Sequence, residues 1–568
     1  MPARLRVLAA AALAVWMIPS RAPSESPRLP PTAVERARLY RRLSAEAAAD
    51  FEEKHFDRAA EKNGRLVKEE TKDGRAWAGL GRALFETGDV ERGVPALEEA
   101  IRLGFVDRAE GEYEIARNLA RAGRSEEALS RLDQALAEGY RFRPKIAADA
   151  AFESLRSHPE FKRLAGELAP SDRAAGWRSD LQFFELEISR VHPVYRRTPL
   201  PENFRSSAAA LEKDIERLSD SQLTVRFQRL AAMLEDGHSL VWPFGMRRGD
   251  LSALPLRLYL FEDGLFVVAS TEHPELIGRR VLSIGGVAAT DALDRMREYV
   301  SRDNDMSFRW AAPLYLTLAE YLEAIGARVR ESSVEIGWED AAGKPMTTNV
   351  RSAPVDPAKL ETKLRPGEVS SPAAAPDYLR RMDESWWIHT LPRRRATYVL
   401  FNAVQDSEKE SLAAFAARLR RELMRSRARA VVVDVRNNNG GNAELLPPLW
   451  RVLAGWAGEP GHRLYVIAGR QTYSAAQTFV SSLSRLAPVT FAGEPTGSRP
   501  THYGNEAPFR LPYSGLRGTL SSGFNQTAAR DARAWIPPDL PAALTSTDYF
   551  AGHDPALDAV LAEIEGGR

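Results

Sequence analysis

Residues Ala430 to Gly441 read Ala-Val-Val-Val-Asp-Val-Arg-Asn-Asn-Asn-Gly-Gly, and residues Leu464 to Ala476 read Leu-Tyr-Val-Ile-Ala-Gly-Arg-Gln-Thr-Tyr-Ser-Ala-Ala. A helix-length segment then leads to Val489-Thr490-Phe491-Ala492 and the turn Gly493-Glu494-Pro495-Thr496-Gly497. The apolar runs are short, β-branched and bounded by Gly, Asn or Pro, which predicts buried parallel strands joined by helices. Ser474 falls where the second strand turns into its helix, and Gly440-Gly441 follows the end of the preceding strand. A candidate nucleophile and a candidate oxyanion cradle therefore sit at the same edge of one sheet.

Working outward, Thr397–Phe401 reads as a strand, and Glu408–Ser426 as a helix with Leu412, Phe415, Leu419 and Leu423 on one face. Downstream, Phe509–Leu511 and Gly518–Ser521 read as strands, and the tail around Asp554-Pro555-Ala556-Leu557 as a short helix. Residues 377–568 thus form an α/β core, preceded at 331–376 by a β extension (Val334–Trp338 with Thr347–Val350) and an irregular connection. Residues 252–330 combine a hairpin around Asp263-Gly264, a Gly285-Gly286 turn and a helix from Ala289 to Val300. This pattern resembles a PDZ-like module, which implies capture of extended peptides at a sheet edge.

Residues 172–247 read as helices. Ser219-Asp220-Ser221-Gln222 fits a capping box, Leu223, Phe227, Leu230 and Leu234 follow at helical spacing, and Gly237 reads as the helix stop. His238 then lies on a loop just past a rigid helix, where reactive side chains are often mounted. Read alone, an isolated His is as readily structural.

Residues 34–169 are helical and repetitive. Leu84, Gly88, Leu97 and Ala100 recur 35 positions later as Leu119, Gly123, Leu132 and Ala135, and Gly93 recurs as Ala128. With Trp77-x-x-Leu80-Gly81, this resembles the tetratricopeptide repeat, implying about three stacked repeats and a surface for a protein partner. A plain helical bundle would share the periodicity.

The chain has 568 residues, too many for one core, and its hydrophobic (44%) and charged (27%) fractions are those of ordinary globular domains. The formal net charge of +1 gives no reason to expect nucleic acid as a partner. The absence of cysteine excludes disulfides, thiolate metal sites, a cysteine nucleophile and a lipid-modified cysteine. Residues 1–22 have the parts of a signal peptide: Arg4 and Arg6, an apolar run from Val7 to Ile18, and Ser20-Arg21-Ala22. They predict an exported protein, periplasmic or extracellular, with a linker over 23–33 and no transmembrane span in the mature chain.

Val433-Asp434-Val435-Arg436-Asn437-Asn438-Asn439-Gly440-Gly441, Tyr473-Ser474-Ala475-Ala476, Gly493-Glu494-Pro495-Thr496-Gly497 and Glu235-Asp236-Gly237-His238 together resemble the C-terminal-processing (tail-specific) serine peptidases, the clan that includes the tricorn core. The resemblance spans roughly Leu181 to Leu561 and rests on the order of four motifs. It implies a ClpP/crotonase-like α/β core with a helical cap and a PDZ-like domain, a polypeptide substrate, and neither metal nor cofactor.

Serine needs a general base and donors aimed at the developing oxyanion. Ser474 at a helix N-terminus has free backbone N–H groups nearby. The N–H of Ala475 and that of Gly440 or Gly441 are the expected donors. Taken singly, Ser474 is as well explained as an N-cap and Gly440-Gly441 as a plain turn. Many family members pair the serine with a lysine. Here that place, 25 residues past Ser474, holds Arg499, which cannot act as a base. The tricorn-like branch implies a histidine, and His238 matches its position, with His502 as the rival. Gln477 stands where many relatives carry Glu, and Asp531 is a weak candidate for orienting the base. The alternative to an exported serine endopeptidase is a non-catalytic protein binding a peptide or apolar ligand on the same fold.

Overall fold

The computed structural model describes residues 31–138, 140, 143–166, 172–242, 251–356, 375–391, 394–426, 428–527 and 531–566. The expected signal peptide, residues 23–30 of the linker and residues 357–374 of the irregular connection lie outside the described residues. Helix already starts at Pro31, inside the expected linker; proline suits a first helical turn, where its missing N–H leaves no bond unmade. The chain divides between Arg131 and Leu132 into two compact units.

In the first unit, helices Phe56–Glu69, Gly74–Glu86, Val90–Arg102 and Arg108–Arg121 follow one another through short turns. Asp73, Asp89 and Asp107 cap the last three by accepting N–H bonds from the first turn. The apolar stripe Leu66, Val67, Leu80, Leu84 and Ala96 is buried between them. The small residue at Gly93 is required by packing, since a Cβ there would stand 2.6 Å from the Phe85 ring. The periodicity placed residues up to 169 with the repeats, but residues 132–166 belong to the second unit. There Arg143, buried, donates to Leu164 O and reaches Glu187 of the following helix at 3.4 Å.

In the second unit, helices Arg173–Val191, Glu202–Asp214 and Asp220–Ala232 form the expected helical layer. The Ser219–Gln222 capping box is present with both of its bonds. Trp177, Phe184 and Phe227 pack against Phe509 and Leu520 of a long antiparallel hairpin, Thr501–Arg510 with Arg517–Gln526. A seven-stranded sheet over residues 256–351 carries a separate core, with Leu258, Val267, Ile284 and Ile336 facing Phe308 and Leu322. Its first hairpin, Leu256–Phe261 with Gly264–Ser270, and its last, Ser333–Glu339 with Pro345–Arg351, lie where the sequence puts them.

The central sheet has six strands in the order Trp386–Leu391, Ala396–Phe401, Ala430–Asp434, Arg463–Ala468, Thr490–Gly493, Leu540–Pro541. The first pair is antiparallel and the rest are parallel. Val431, Val433 and Val466 face helices Leu412–Ser426, Pro447–Ala457 and Ala475–Leu486. On the other face, Val432, Tyr465 and Ile467 meet Val560 and Ile564 of the terminal helix. Both faces are covered, which is why these strands are continuous apolar runs and not alternating ones. The loops at the carboxyl ends of the parallel strands gather at one edge, the usual place for a ligand in such sheets.

Candidate active site

The loop after Asp434 is anchored before it reaches the glycines. Asp434, fully buried, accepts from Tyr398 Oη at 2.6 Å and pairs with Arg436, whose other nitrogens bind both carboxylate oxygens of Asp554 at 2.8 and 3.0 Å. Buried acids and bases persist only when paired and hydrogen-bonded. Asn437 donates to Tyr378 O and Asn438 to Phe401 O, while Asn438 Oδ1 accepts the Gly440 N–H at 2.9 Å. The asparagine run therefore holds the turn. Gly440 has φ +112°, a conformation open to glycine. A Cβ on it would lie 2.8 Å from Ser474 Cβ and 3.0 Å from Ala475 N. Its missing side chain leaves open the space in front of the Ala475 N–H, so this turn is more than a plain loop.

Ser474 ends the segment after Arg463–Ala468. Its backbone is held at φ 53° and ψ −121°, a strained conformation for a residue with a side chain, and its hydroxyl makes no capping bond. Ser474 thus occupies the N-cap position of the helix without the side-chain bond that a capping serine makes. Several contacts fix the turn: the ion pair of buried Arg470 with Glu494, the Thr472 hydroxyl on Val435 O at 2.9 Å, and the Tyr473 N–H on Asn438 O at 3.1 Å. The Gly440 N–H is spent on Asn438. The N–H groups of Ala475 and Gly441 have no acceptor among the described residues. Gln477 lies inside the helix and donates to Ser481 at 2.9 Å.

His238 is buried, and its ring stacks on Tyr473 with centroids 4.6 Å apart and on His502 at 5.7 Å. Its Nδ1 is 3.2 Å from Tyr473 Oη, while Nε2 is buried with no partner among the described residues. His238 thus touches Tyr473, the residue before Ser474, and makes no hydrogen bond to Ser474 itself. The helix before it ends at Ala232, and the left-handed residue is Glu235 (φ 52°), so Gly237 is not the helix stop that the sequence suggests. Gly237 is needed for a close approach: a Cβ there would meet Tyr473 Oη at 2.0 Å. Gly237→Ala is expected to force the tyrosine and the His238 loop apart, costing about 1–3 kcal/mol of stability, measured by denaturant unfolding.

His502 lies on the long hairpin, buried, with Nδ1 3.0 Å from Arg499 O. Burial lowers its pKa, which keeps the ring neutral. It lines a cleft of about 430 Å³ with Arg499, Tyr503 and Phe524. Asp531 lines the same cleft, but its carboxylate is taken by Arg533 at 3.0 and 2.7 Å and makes no bond to either histidine. Arg499 Nε donates to the backbone carbonyl of Asp303 at 2.6 Å.

Two buried acids complete the cluster, and sequence reasoning assigned a role to neither. Asp236 accepts the His238 N–H at 3.0 Å and the Ser239 hydroxyl at 2.5 Å, and it faces His192 Nε2 at 3.4 Å. Asp303 accepts the Gly237 N–H at 2.9 Å and the Ser498 hydroxyl at 2.8 Å, and Ser498 Oγ in turn accepts the Ser474 N–H at 3.2 Å. Donor atoms of Asp236, His238 and Asp303 lie within 4.8 Å of one another. Each carboxylate oxygen already receives a protein N–H or O–H, so the group is built as a hydrogen-bond network. The hint for Asp303 in the sequence was the Asn304–Ser307 capping box, which marks a helix start but not what it meets.

Burial alone would raise the pKa of Asp236. His192, the nearby His238 and the Ser239 and Ser521 hydroxyls outweigh it and hold the acid at about 2. A carboxyl with a depressed folded pKa stabilises the fold above its unfolded pKa of about 4 and loses that contribution as pH falls toward about 2. Asp236→Asn is therefore expected to cost about 2 kcal/mol at neutral pH and to flatten the acid limb of a stability–pH curve.

No family model matches the chain, and no curated protein matches it. Among solved structures, mature CPAF complexed with lactacystin is similar, with a TM-score of 0.51 and 14% identity over 70% of this chain and 99% of that one. Mature CPAF in another crystal structure gives a TM-score of 0.50 and 13% identity over 69% and 98%. The photosystem II D1 C-terminal processing protease aligns with a TM-score of 0.32 and 14% identity over 67% and 98%. The likeness to mature CPAF is one of fold, and it takes in nearly all of that chain. No described helix is long and apolar enough to cross a membrane.

Proposed function

We propose that this protein is an exported serine endopeptidase of the C-terminal-processing type, periplasmic or extracellular, in which Ser474 is the nucleophile and His238 its base. The observation that carries the reading is Ser474 itself: a strained residue at a helix N-terminus, its hydroxyl unengaged, set against a glycine whose side chain would block the neighbouring N–H. Strain of this kind is retained where it serves a site. Ser474 Oγ attacks the scissile carbonyl, and His238 Nε2, buried and unpartnered, takes the proton and returns it to the leaving amine. The oxyanion is received by the Ala475 N–H, supported by the positive end of the helix, and by a donor from the glycine turn. Since the Gly440 N–H is bonded to Asn438, Gly441 supplies that donor, and Gly440 supplies the space.

Residues 252–330 act as the PDZ-like domain, their sheet completed by the strands of the β extension up to Arg351, and feed extended polypeptide to this edge. The helical repeats dock a protein partner. The second reading, a ligand-binding protein without turnover, is favoured by the lack of a hydrogen bond between Ser474 and His238 and by Arg499 in the place of lysine.

The test is incubation with an unstructured polypeptide and mapping of the products by mass spectrometry. Internal cleavages that stop after fluorophosphonate treatment support the peptidase. An intact substrate under all conditions, with retained peptide binding, favours the second reading.

A further inference from the structure

A serine–histidine pair needs a third group that fixes the imidazole tautomer. Neither Asp531 nor Asp236 does this. Asp531 is bonded to Arg533, and Asp236 Oδ1 stands 4.0 Å from His238 Nδ1, beyond hydrogen-bond reach. The atom that does reach Nδ1 is Tyr473 Oη, at 3.2 Å. Tyr473 is buried, immediately precedes Ser474, and stacks on the imidazole it bonds. Its hydroxyl and Asp303 Oδ1 converge on one point, 2.0 and 3.0 Å from where a Gly237 side chain would begin.

An ionised carboxylate can only accept hydrogen bonds. A phenol set between Asp303 and His238 therefore donates to the acid and accepts from the ring. That places the histidine proton on Nδ1 and the lone pair on Nε2. Burial and the Asp303 and Asp236 charges push the Tyr473 pKa well above its ordinary value, so the hydroxyl keeps its proton.

We propose that Tyr473 and Asp303 are the positioning pair of this site: the phenol accepts the Nδ1–H of His238 and donates its own proton to Asp303, leaving His238 Nε2 free for the proton of Ser474. The assignment rests on the Ser474–His238 reading. It also accounts for Ser498. Asp303 holds the His238 loop through the Gly237 N–H and the nucleophile turn through Ser498, so one acid sets both partners. The other groups facing the imidazole are Asp236 on its own loop and His502 on the hairpin. Glu506 acts on Tyr473 from the same hairpin.

The test uses full-length protein with 15N-labelled histidine, the His238 signals being assigned by their loss in His238→Gln. In the wild type, neutral His238 is expected as the Nδ1–H tautomer. Tyr473→Phe keeps the ring and its stacking but removes the acceptor. It is expected to shift the tautomer toward Nε2–H and to lower kcat about 10²-fold, with KM little changed. Asp303→Asn should act in the same direction, and the double variant should be no slower than the slower single one, because the two form one relay. A Tyr473→Phe protein that keeps the Nδ1–H tautomer and the wild-type kcat overturns the proposal. The tautomer is read without turnover, so it reports on the relay even if the wild type proves inactive on peptides.

Discussion

Ser474→Ala is expected to lower kcat/KM on a peptide by roughly 10⁴–10⁶-fold, about 5–8 kcal/mol of transition-state stabilisation, while the protein stays folded. The hydroxyl is half-buried and makes no capping bond, so its removal leaves no group unpaired. The strained backbone at φ 53° is equally strained with alanine, so the folded state keeps its geometry. An unchanged unfolding midpoint together with lost turnover is the expected pair of measurements. Residual activity near that of the wild type would remove the nucleophile from the account.

His238→Ala is expected to cut the acylation rate by roughly 10³–10⁴-fold, read by single-turnover kinetics. His502→Ala should cost about tenfold or less. The two rings are stacked and equally buried, so burial does not separate them; their partners do. His502 directs Nδ1 at a backbone carbonyl and lines a cleft, whereas His238 bonds the tyrosine adjoining the nucleophile and keeps a buried, unpartnered Nε2. Arg499→Lys should not rescue His238→Ala, because that position is exposed and its side chain reaches the Asp303 carbonyl. If His502→Ala stops acylation and His238→Ala does not, the two roles are exchanged.

The four inner strands of the central sheet were legible because each is a short apolar run buried between two layers, and the Ser219–Gln222 cap because its signal is local; the edge strands Trp386–Leu391 and Leu540–Pro541 are only partly buried and carry no such run. The long hairpin was legible only at its apolar ends, Phe509–Leu511 and Gly518–Ser521. The other half, through His502, Gly504, Asn505 and Asn525, has little apolar alternation to read. Gly237 was misread because a glycine after a helix usually stops it; here a phenol 236 residues downstream requires the small residue. Asp303 was missed for the same reason. Its partners, Gly237, Ser498 and Arg499, come from segments far away in the chain, and no periodicity records such a meeting. The 35-residue period marked helices and their turns, but a sequence period does not record which unit a helix packs with, and the two compact units part between Arg131 and Leu132.

The central claim, that Ser474 is an activated nucleophile, is tested most directly by the mass of the intact protein after fluorophosphonate treatment. The account predicts one adduct per chain, located on the peptide that contains Ser474, absent in Ser474→Ala and slow to form in His238→Ala. An unmodified mass at saturating reagent, or an adduct that persists in Ser474→Ala, would contradict it.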